Sequence, residues 1–254
     1  MWSAITLAEK EGRLGRSTFP LPQPIRMHWA PDLHFPFHNK DVVTHIIDVS
    51  RGCDIIGQIG DLLEAYGVSS HKKNPAIKHT LEDEARMARN EFWIPIRNLN
   101  PEARLIQVTG NHEERIVRYN WENAPAYYDN PNIGFATLIK AEKYGIEMYD
   151  RTGLKLHGMR FKHGDVARAQ GSARAEMTRH RYSGVSGHTH RCEWETIIDA
   201  EGVRTDWWSI GHACRPELLD YLRGKPLPNW QLSAGITFTI YPDGTIDTKE
   251  HRLS

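Results

Sequence analysis

Five short blocks of metal-capable and proton-transferring side chains punctuate this chain: Asp32-Leu33-His34, Gly60-Asp61, Gly110-Asn111-His112-Glu113, His163-Gly164-Asp165 and Ser186-Gly187-His188-Thr189-His190. Two imidazoles two residues apart, just after a strand-like run, can point at neighbouring positions in space, so His188 and His190 form a metal-binding pair in need of further donors. Asp, His and Asn together offer a mixed oxygen and nitrogen set, which suits borderline divalent ions such as Mn, Fe or Zn. Two such ions about 3.5–4 Å apart stabilise both the attacking and the departing oxygen of an in-line displacement at phosphorus. Dications that close need an anion between them, and Asp61 is the carboxylate assigned to that place. Taken singly, each block has a plainer reading: Asp32 as a turn former after Pro31, Asn111 as a left-handed turn residue after Gly110, His163 as a satisfied structural histidine. With fourteen histidines in the chain an isolated pair can arise by accident, so the weight falls on the ordered set.

The blocks sit where β-type runs end. Ile25 to Ala30 is a strand candidate stopped by Pro31, which lacks the N–H that a ladder needs. Asn39 is a suitable N-cap for a helix from about Lys40 to Arg51, and the apolar run Cys53 to Ile59 leads to Gly60-Asp61. Residues 65–75 are polar and loop-like. Helical spacing returns from Ala76 to about Leu99, with Pro95 dividing or kinking it. Leu105 to Val108 is a strand leading to Asn111, and Ile146 to Tyr149 another. Leu154 to His157 and Met159 to Lys162 form a hairpin that delivers His163. Asp165 to Arg181 is expected to be a basic helix, either steering an anionic substrate or simply a solvated face. The aromatic stretch 119–135 reads as a cap over the site or as a satellite cluster under a long loop. Late antiparallel pairs are expected at 193–208 and 236–250, with His212 in the loop between and a short helix at Pro216 to Leu222.

The five blocks span residues 32–190 and resemble the motif series of the calcineurin-like metallophosphoesterase family, in its stand-alone bacterial and bacteriophage type. That series runs Asp-x-His, Gly-Asp, Gly-Asn-His-Asp/Glu, a lone His and Gly-His-x-His. One departure is visible, since Glu64 stands where the family often has a second Asp. The resemblance implies an α/β fold, a four-layer α/β/β/α sandwich with two mixed β-sheets. It implies that Asp32, His34 and His190 hold one divalent ion with Asp61, and that Asn111, His163 and His188 hold the other. Mn is the expected metal, with Fe, Zn or Ni as alternatives, and a metal-bridging hydroxide is the expected nucleophile. His112 is placed to protonate the leaving group or to stabilise charge on the phosphoryl oxygens, oriented by Asp32 or Glu113. Arg115 and His212 are candidates for substrate contact, and Arg115 could equally balance Glu113 and Glu114.

Equal numbers of basic and acidic residues, 32 each, give no net charge, so any affinity for nucleic acid must be local. Three scattered cysteines (Cys53, Cys192, Cys214) make no disulfide framework and suit a cytoplasmic setting. No apolar run is long enough to span a membrane. Residues 1–24 read as an extension ending in prolines, and 25–254 as one domain. The expected activity is hydrolysis of phosphodiester bonds, nucleic acid or nucleotides among the substrates, or of phosphomonoesters. A non-catalytic metal-binding scaffold of the same fold is the alternative, and the oligomeric state is left open.

Overall fold

The computed structural model describes residues 21, 23–128, 130, 132–168 and 170–253, so nearly all of the expected N-terminal extension lies outside the described residues. In chain order the elements are β1 (Ile25–Ala30), α1 (Lys40–Val49), β2 (Ile55–Gln58), α2 (Leu81–Ala88), α3 (Ile94–Leu99), β3 (Arg104–Val108), α4 (Asn111–Asn123), α5 (Phe135–Leu138), α6 (Ala141–Tyr144) and β4 (Ile146–Tyr149). They continue with β5 (Leu154–Leu156), β6 (Met159–Lys162), α7 (Ser172–His180), β7 (Gly184–Ser186), β8 (Cys192–Ile198), β9 (Arg204–Ile210), β10 (Ser233–Ile240) and β11 (Ile246–Arg252). Two mixed sheets result, ordered β11-β10-β1-β2-β3-β4 and β5-β6-β7-β9-β8. Strands β1 to β4 run parallel, as do β6, β7 and β9. Parallel neighbours end on the same edge of a sheet, so the loops that follow them are brought together.

The sheets face one another across a core that includes Trp29 and Ile55 from the six-stranded sheet and Phe161 and Trp208 from the five-stranded one. Trp29 and Phe161 stack with ring centroids 4.1 Å apart, and Trp208 meets Phe238 edge to face at 5.3 Å. Outside the first sheet, Val43 and Ile46 of α1, Phe92 and Trp93 beyond α2, and Ile96 of α3 bury against Ile56 and Leu105. Outside the second, Ala173 and Met177 of α7 cover Trp207, which alternation along β9 turns away from Trp208. Helices on both outer faces make this the four-layer α/β/β/α sandwich.

Several expected boundaries move. The helix expected from Ala76 begins at Leu81, because Thr80 and Asp83 form a reciprocal capping box there. It passes through a π-helical turn at Arg89–Trp93 before Pro95, which sits where its missing N–H is tolerated. The helix expected over 165–181 is shorter, Ser172–His180. Ahead of it Glu176 accepts from the Asp165 and Val166 N–H groups at 2.5 and 2.9 Å, which holds that segment as a loop. The basic strip is partly neutralised, Arg174 pairing with Glu195 at 3.8 Å and Arg179 with Asp165 at 3.6 Å. Of the aromatics named in 119–135 Phe135 is buried in the core, whereas α4 continues to Asn123 and Tyr119, Trp121, Tyr127 and Tyr128 are exposed. Pro216–Leu218 and Asp220–Leu222 are two 3₁₀ turns in place of one helix. Leu21, assigned to the extension, is buried in the core between the sheets. Among the described residues no helix is long and apolar enough to cross a membrane.

Glu84 on α2 is fully buried and accepts from the N–H groups of Ala65 and Tyr66 at 2.6 and 3.1 Å, fixing the chain just after Glu64. Burial pushes its carboxyl up to about 8, against the pull of those two donors. A folded-state pKa above the unfolded value means the native protein holds the extra proton. The stability it gives is complete below about pH 4.5 and is lost as pH rises through about 8. The urea midpoint should therefore fall across that window by the equivalent of about 2 kcal/mol or more. Glu84→Gln should flatten the slope, and an unchanged pH profile would show that Glu84 is not the titrating group.

Candidate metal centre

The loops leaving β1 and β2 carry Asp32 with His34 and Asp61, the first residue of α4 after β3 is Asn111, and the loops leaving β6 and β7 carry His163, and His188 with His190. All seven expected ligands come together at this one edge of the sandwich. Ligand atoms of Asp32, His34, Asp61 and His190 lie within 4.8 Å of one another, and so do those of Asp61, His163 and His188. Asp61 belongs to both groups. Its Oδ2 is 3.3 Å from His163 Nε2 and 3.8 Å from His34 Nε2, and its Oδ1 accepts from the His112 N–H at 2.9 Å. Asn111 Oδ1 lies 2.9 Å from His163 Nε2. Asp32 Oδ2 accepts from the His188 N–H at 2.9 Å and is 3.1 Å from His190 Nε2.

Local backbone geometry shows how tightly these side chains are aimed. His34, Asp61, His188 and His190 all adopt positive φ, between 52° and 68°, a region that costs non-glycine residues about 1–3 kcal/mol each and persists where the surroundings over-determine it. Buried amides and carboxylates supply that constraint. Gln58 donates to the carbonyls of Pro31 and Gly60 at 3.0 and 2.7 Å and accepts from Gly60 N–H, and Gln107 donates to Gln58 in turn. Glu113 accepts from the N–H groups of Gly110, Asp61 and Leu63 at 2.7, 3.1 and 2.9 Å, stapling α4 to the Asp61 loop.

The electrostatics are those of a pocket that wants positive charge. Burial raises Asp32, and the Asp61 charge beside it adds to that. Burial would raise Asp61 too, but His112 and His163 hold it well below the usual carboxylate range. His163 goes up to about 9, burial being outweighed by Asp61 and Asp32. Burial lowers His190, and the neighbouring His34 lowers it further. The residues fit a cation on structural grounds. Asp32 Oδ1 and His190 Nδ1 are buried without a hydrogen-bond partner, and His34 Nε2 and His190 Nε2 face each other at 3.0 Å as two lone-pair donors would around an ion.

Glu64, which the sequence left without a role, is the carboxylate that orients His112. Its backbone carbonyl is 2.9 Å and its Oε2 3.3 Å from His112 Nδ1, and Oε2 is also 2.9 Å from His34 Nδ1. Neither Asp32 nor Glu113, the expected orienters, makes that contact, because Glu113 is consumed by backbone donors and Asp32 by His188 and His190. Arg115 Nη1 donates to the Glu64 carbonyl at 2.9 Å, and its Nη2 is 2.9 Å from His112 Nε2. His212 lies behind His190, 1 % exposed, with its Nδ1 3.2 Å from Cys214 N–H and its ring 5.3 Å from that of His190. The signals for Glu64 and for the glutamines were polar side chains within apolar runs, Gln58 after Ile55-Ile56 and Glu64 after Leu62-Leu63.

Two glycines let carboxylates lie against the backbone. A Cβ on Gly110 would sit 2.1 Å from Asp61 Oδ1, and one on Gly187 2.1 Å from Asp32 Oδ1. Gly187→Ala should displace Asp32 and weaken Mn binding, measured calorimetrically, by about tenfold or more. Its far-UV circular dichroism should be unchanged. Parent-like affinity would mean that Asp32 is no ligand.

A scan against models of protein families gives no match, and neither does a search of curated proteins. Solved structures do match. A metallophosphoesterase from Sphaerobacter thermophilus is 15 % identical over 91 % of this chain and 88 % of its own, with TM-score 0.44. Vps29 complexed with Zn from Entamoeba histolytica is 14 % identical over 91 % and 100 %, with TM-score 0.40. A predicted phosphoesterase from Streptococcus pneumoniae TIGR4 is 12 % identical over 91 % and 98 %, with TM-score 0.34. Metallophosphoesterases are thus among the solved structures that this chain resembles.

Proposed function

We propose that the protein is a phosphoric ester hydrolase dependent on two divalent metal ions, acting on phosphodiesters before phosphomonoesters. The observation that carries this reading is the pair of buried donor groups sharing Asp61, with the His112 imidazole 3.7 Å from that same carboxylate. Asp32, His34 and His190 with Asp61 would hold one ion, and Asn111, His163 and His188 with Asp61 the other. Mn is the metal we favour, with Fe, Zn or Ni as alternatives. Bound there, the ions would supply Lewis acidity toward the phosphoryl oxygens and lower the pKa of a water shared between them.

The remaining work falls to side chains. Glu64 fixes the His112 ring through Nδ1, so Nε2 is the atom turned toward the pocket. Burial disfavours a charged ring here, yet Asp61 and Glu64 prevail and push His112 up to about 9. Arg115 Nη2 donates to Nε2 here; with the guanidinium turned to a phosphoryl oxygen of the substrate, Nε2 would be open to carry a proton to the oxygen that departs when the P–O bond breaks. The free thiols of Cys53, Cys192 and Cys214 suit a reducing, cytoplasmic setting.

Metal-stripped protein should turn over neither a nitrophenyl diester nor a nitrophenyl monoester, and Mn should restore diester hydrolysis. In His112→Ala diester turnover should fall by about 10²–10⁴-fold while the bound metal, counted by elemental analysis, is unchanged. No turnover of either ester at saturating metal would favour the non-catalytic scaffold.

A further inference from the structure

A cleft of about 510 Å³ runs from the metal centre along α4, closed on its far side by the segment Val68 to His71. A volume of this size suits a small organic ligand. Asn111, Arg115, Arg118 and Glu122 recur at helical spacing and share the face that lines it. The chemistry along this face is graded. At the inner end stand the ligand Asn111 and the Arg115 guanidinium, followed one turn on by Arg118, whose side chain is 63 % exposed while it pairs with Glu114 at 3.3 Å. Two turns out, about 12 Å from Asn111 by helix rise, stands Tyr119, 44 % exposed. Among the described residues its ring stacks on no other. Beyond it come Glu122 and Asn123, an acceptor and an amide.

This order is anion-binding inside, an open aromatic face next, then uncharged and acidic hydrogen-bonding groups. A nucleotide presents the same order from its phosphate to its base. A longer polyanion does not, since beyond Arg118 a further phosphate would meet the Glu122 carboxylate, about 16 Å from Asn111 by helix rise, and the whole chain carries no net positive charge to offset that repulsion. Resting on the phosphoesterase reading above, we infer that the α4 cleft is the recognition site for the esterified group, and that this group is a single nucleoside. Its phosphate lies at Asn111 and Arg115, Arg118 steadies the approach, and the base stacks on Tyr119.

Binding and turnover test this separately. Calorimetric titration of the Mn-loaded protein should show thymidine 5′-monophosphate binding about tenfold or more tighter than inorganic phosphate. Tyr119→Ala should remove most of that difference and Tyr119→Phe should keep it; Tyr119 is half exposed, so neither substitution disturbs a core. In turnover, the p-nitrophenyl ester of thymidine 5′-monophosphate should show a higher kcat/KM than bis(p-nitrophenyl) phosphate, with the ratio falling toward one in Tyr119→Ala. Equal binding of nucleotide and phosphate overturns the inference. So does an oligothymidylate whose affinity climbs with each added nucleotide. Hydrolysis of both esters at one efficiency also overturns it while leaving the phosphoesterase reading intact. A nucleotide preference that depends on Tyr119, in a protein that hydrolyses neither ester, supports the cleft and removes the hydrolase.

Discussion

Asp61 is a carboxylate kept ionised inside a protein, and most of the site follows from what that requires. An unpaired charge at such depth costs several kcal/mol, and Asp32 lies close enough to add repulsion. Raised histidines relieve part of this, His163 and His112 both being pushed up to about 9. Cations held by the donor groups that share Asp61 would relieve more, and would engage the unpartnered Asp32 Oδ1. Left-handed backbone at His34, Asp61, His188 and His190 adds strain of the kind that only a well-packed surround sustains. The fold tolerates crowded like charge and strained backbone at one edge because its stability comes from elsewhere. The Trp29 and Phe161 stack and the helix-covered outer faces supply it.

The edge itself is a consequence of strand direction. With β1, β2 and β3 parallel in one sheet and β6 and β7 parallel in the other, five loops open on the same side. Had these strands alternated in direction, half of the ligands would have gone to the opposite edge. The strands that run against the ligand-bearing ones are β10 in one sheet and β5 and β8 in the other, and they contribute no ligands.

Much of this was legible in the sequence because it is written in short, local patterns. Strand ends marked by Pro31, Gly60 and Gly110, followed by metal-capable side chains, located three of the five loops, and the helix at Lys40 was recognisable from its Asn39 cap. What was not legible depends on contacts between distant residues. Glu64 and Glu113 look interchangeable as orienters of His112, and only the meeting of α4 with the Asp61 loop decides that Glu113 is taken up by backbone N–H groups. Basic residues at 168–181 suggested a substrate-facing strip, yet Glu195 and Asp165 arrive from other elements to pair with two of them. The aromatics of 119–135 read as a cap over the site or as a satellite cluster under a long loop. Among the described residues no sheet or helix packs over Tyr119, Trp121, Tyr127 and Tyr128, which stay exposed.

Glu64 ties the metal centre to the proton donor. A single oxygen, Oε2, reaches both His34 Nδ1, on the ring expected to bind an ion, and His112 Nδ1, on the ring expected to give a proton. His112 is held a second time by the backbone carbonyl of the same residue, so its orientation does not depend on the carboxylate alone. The extra methylene of Glu over Asp is what lets one residue serve both rings, its carbonyl beside His112 while its carboxylate extends to His34. Charge follows the same route: burial would raise Glu64, but the two histidines hold it well below the usual carboxylate range, so it remains an acceptor toward both. On the proposed reading, a shift of His34 on taking up an ion would reach the His112 ring through this one shared acceptor.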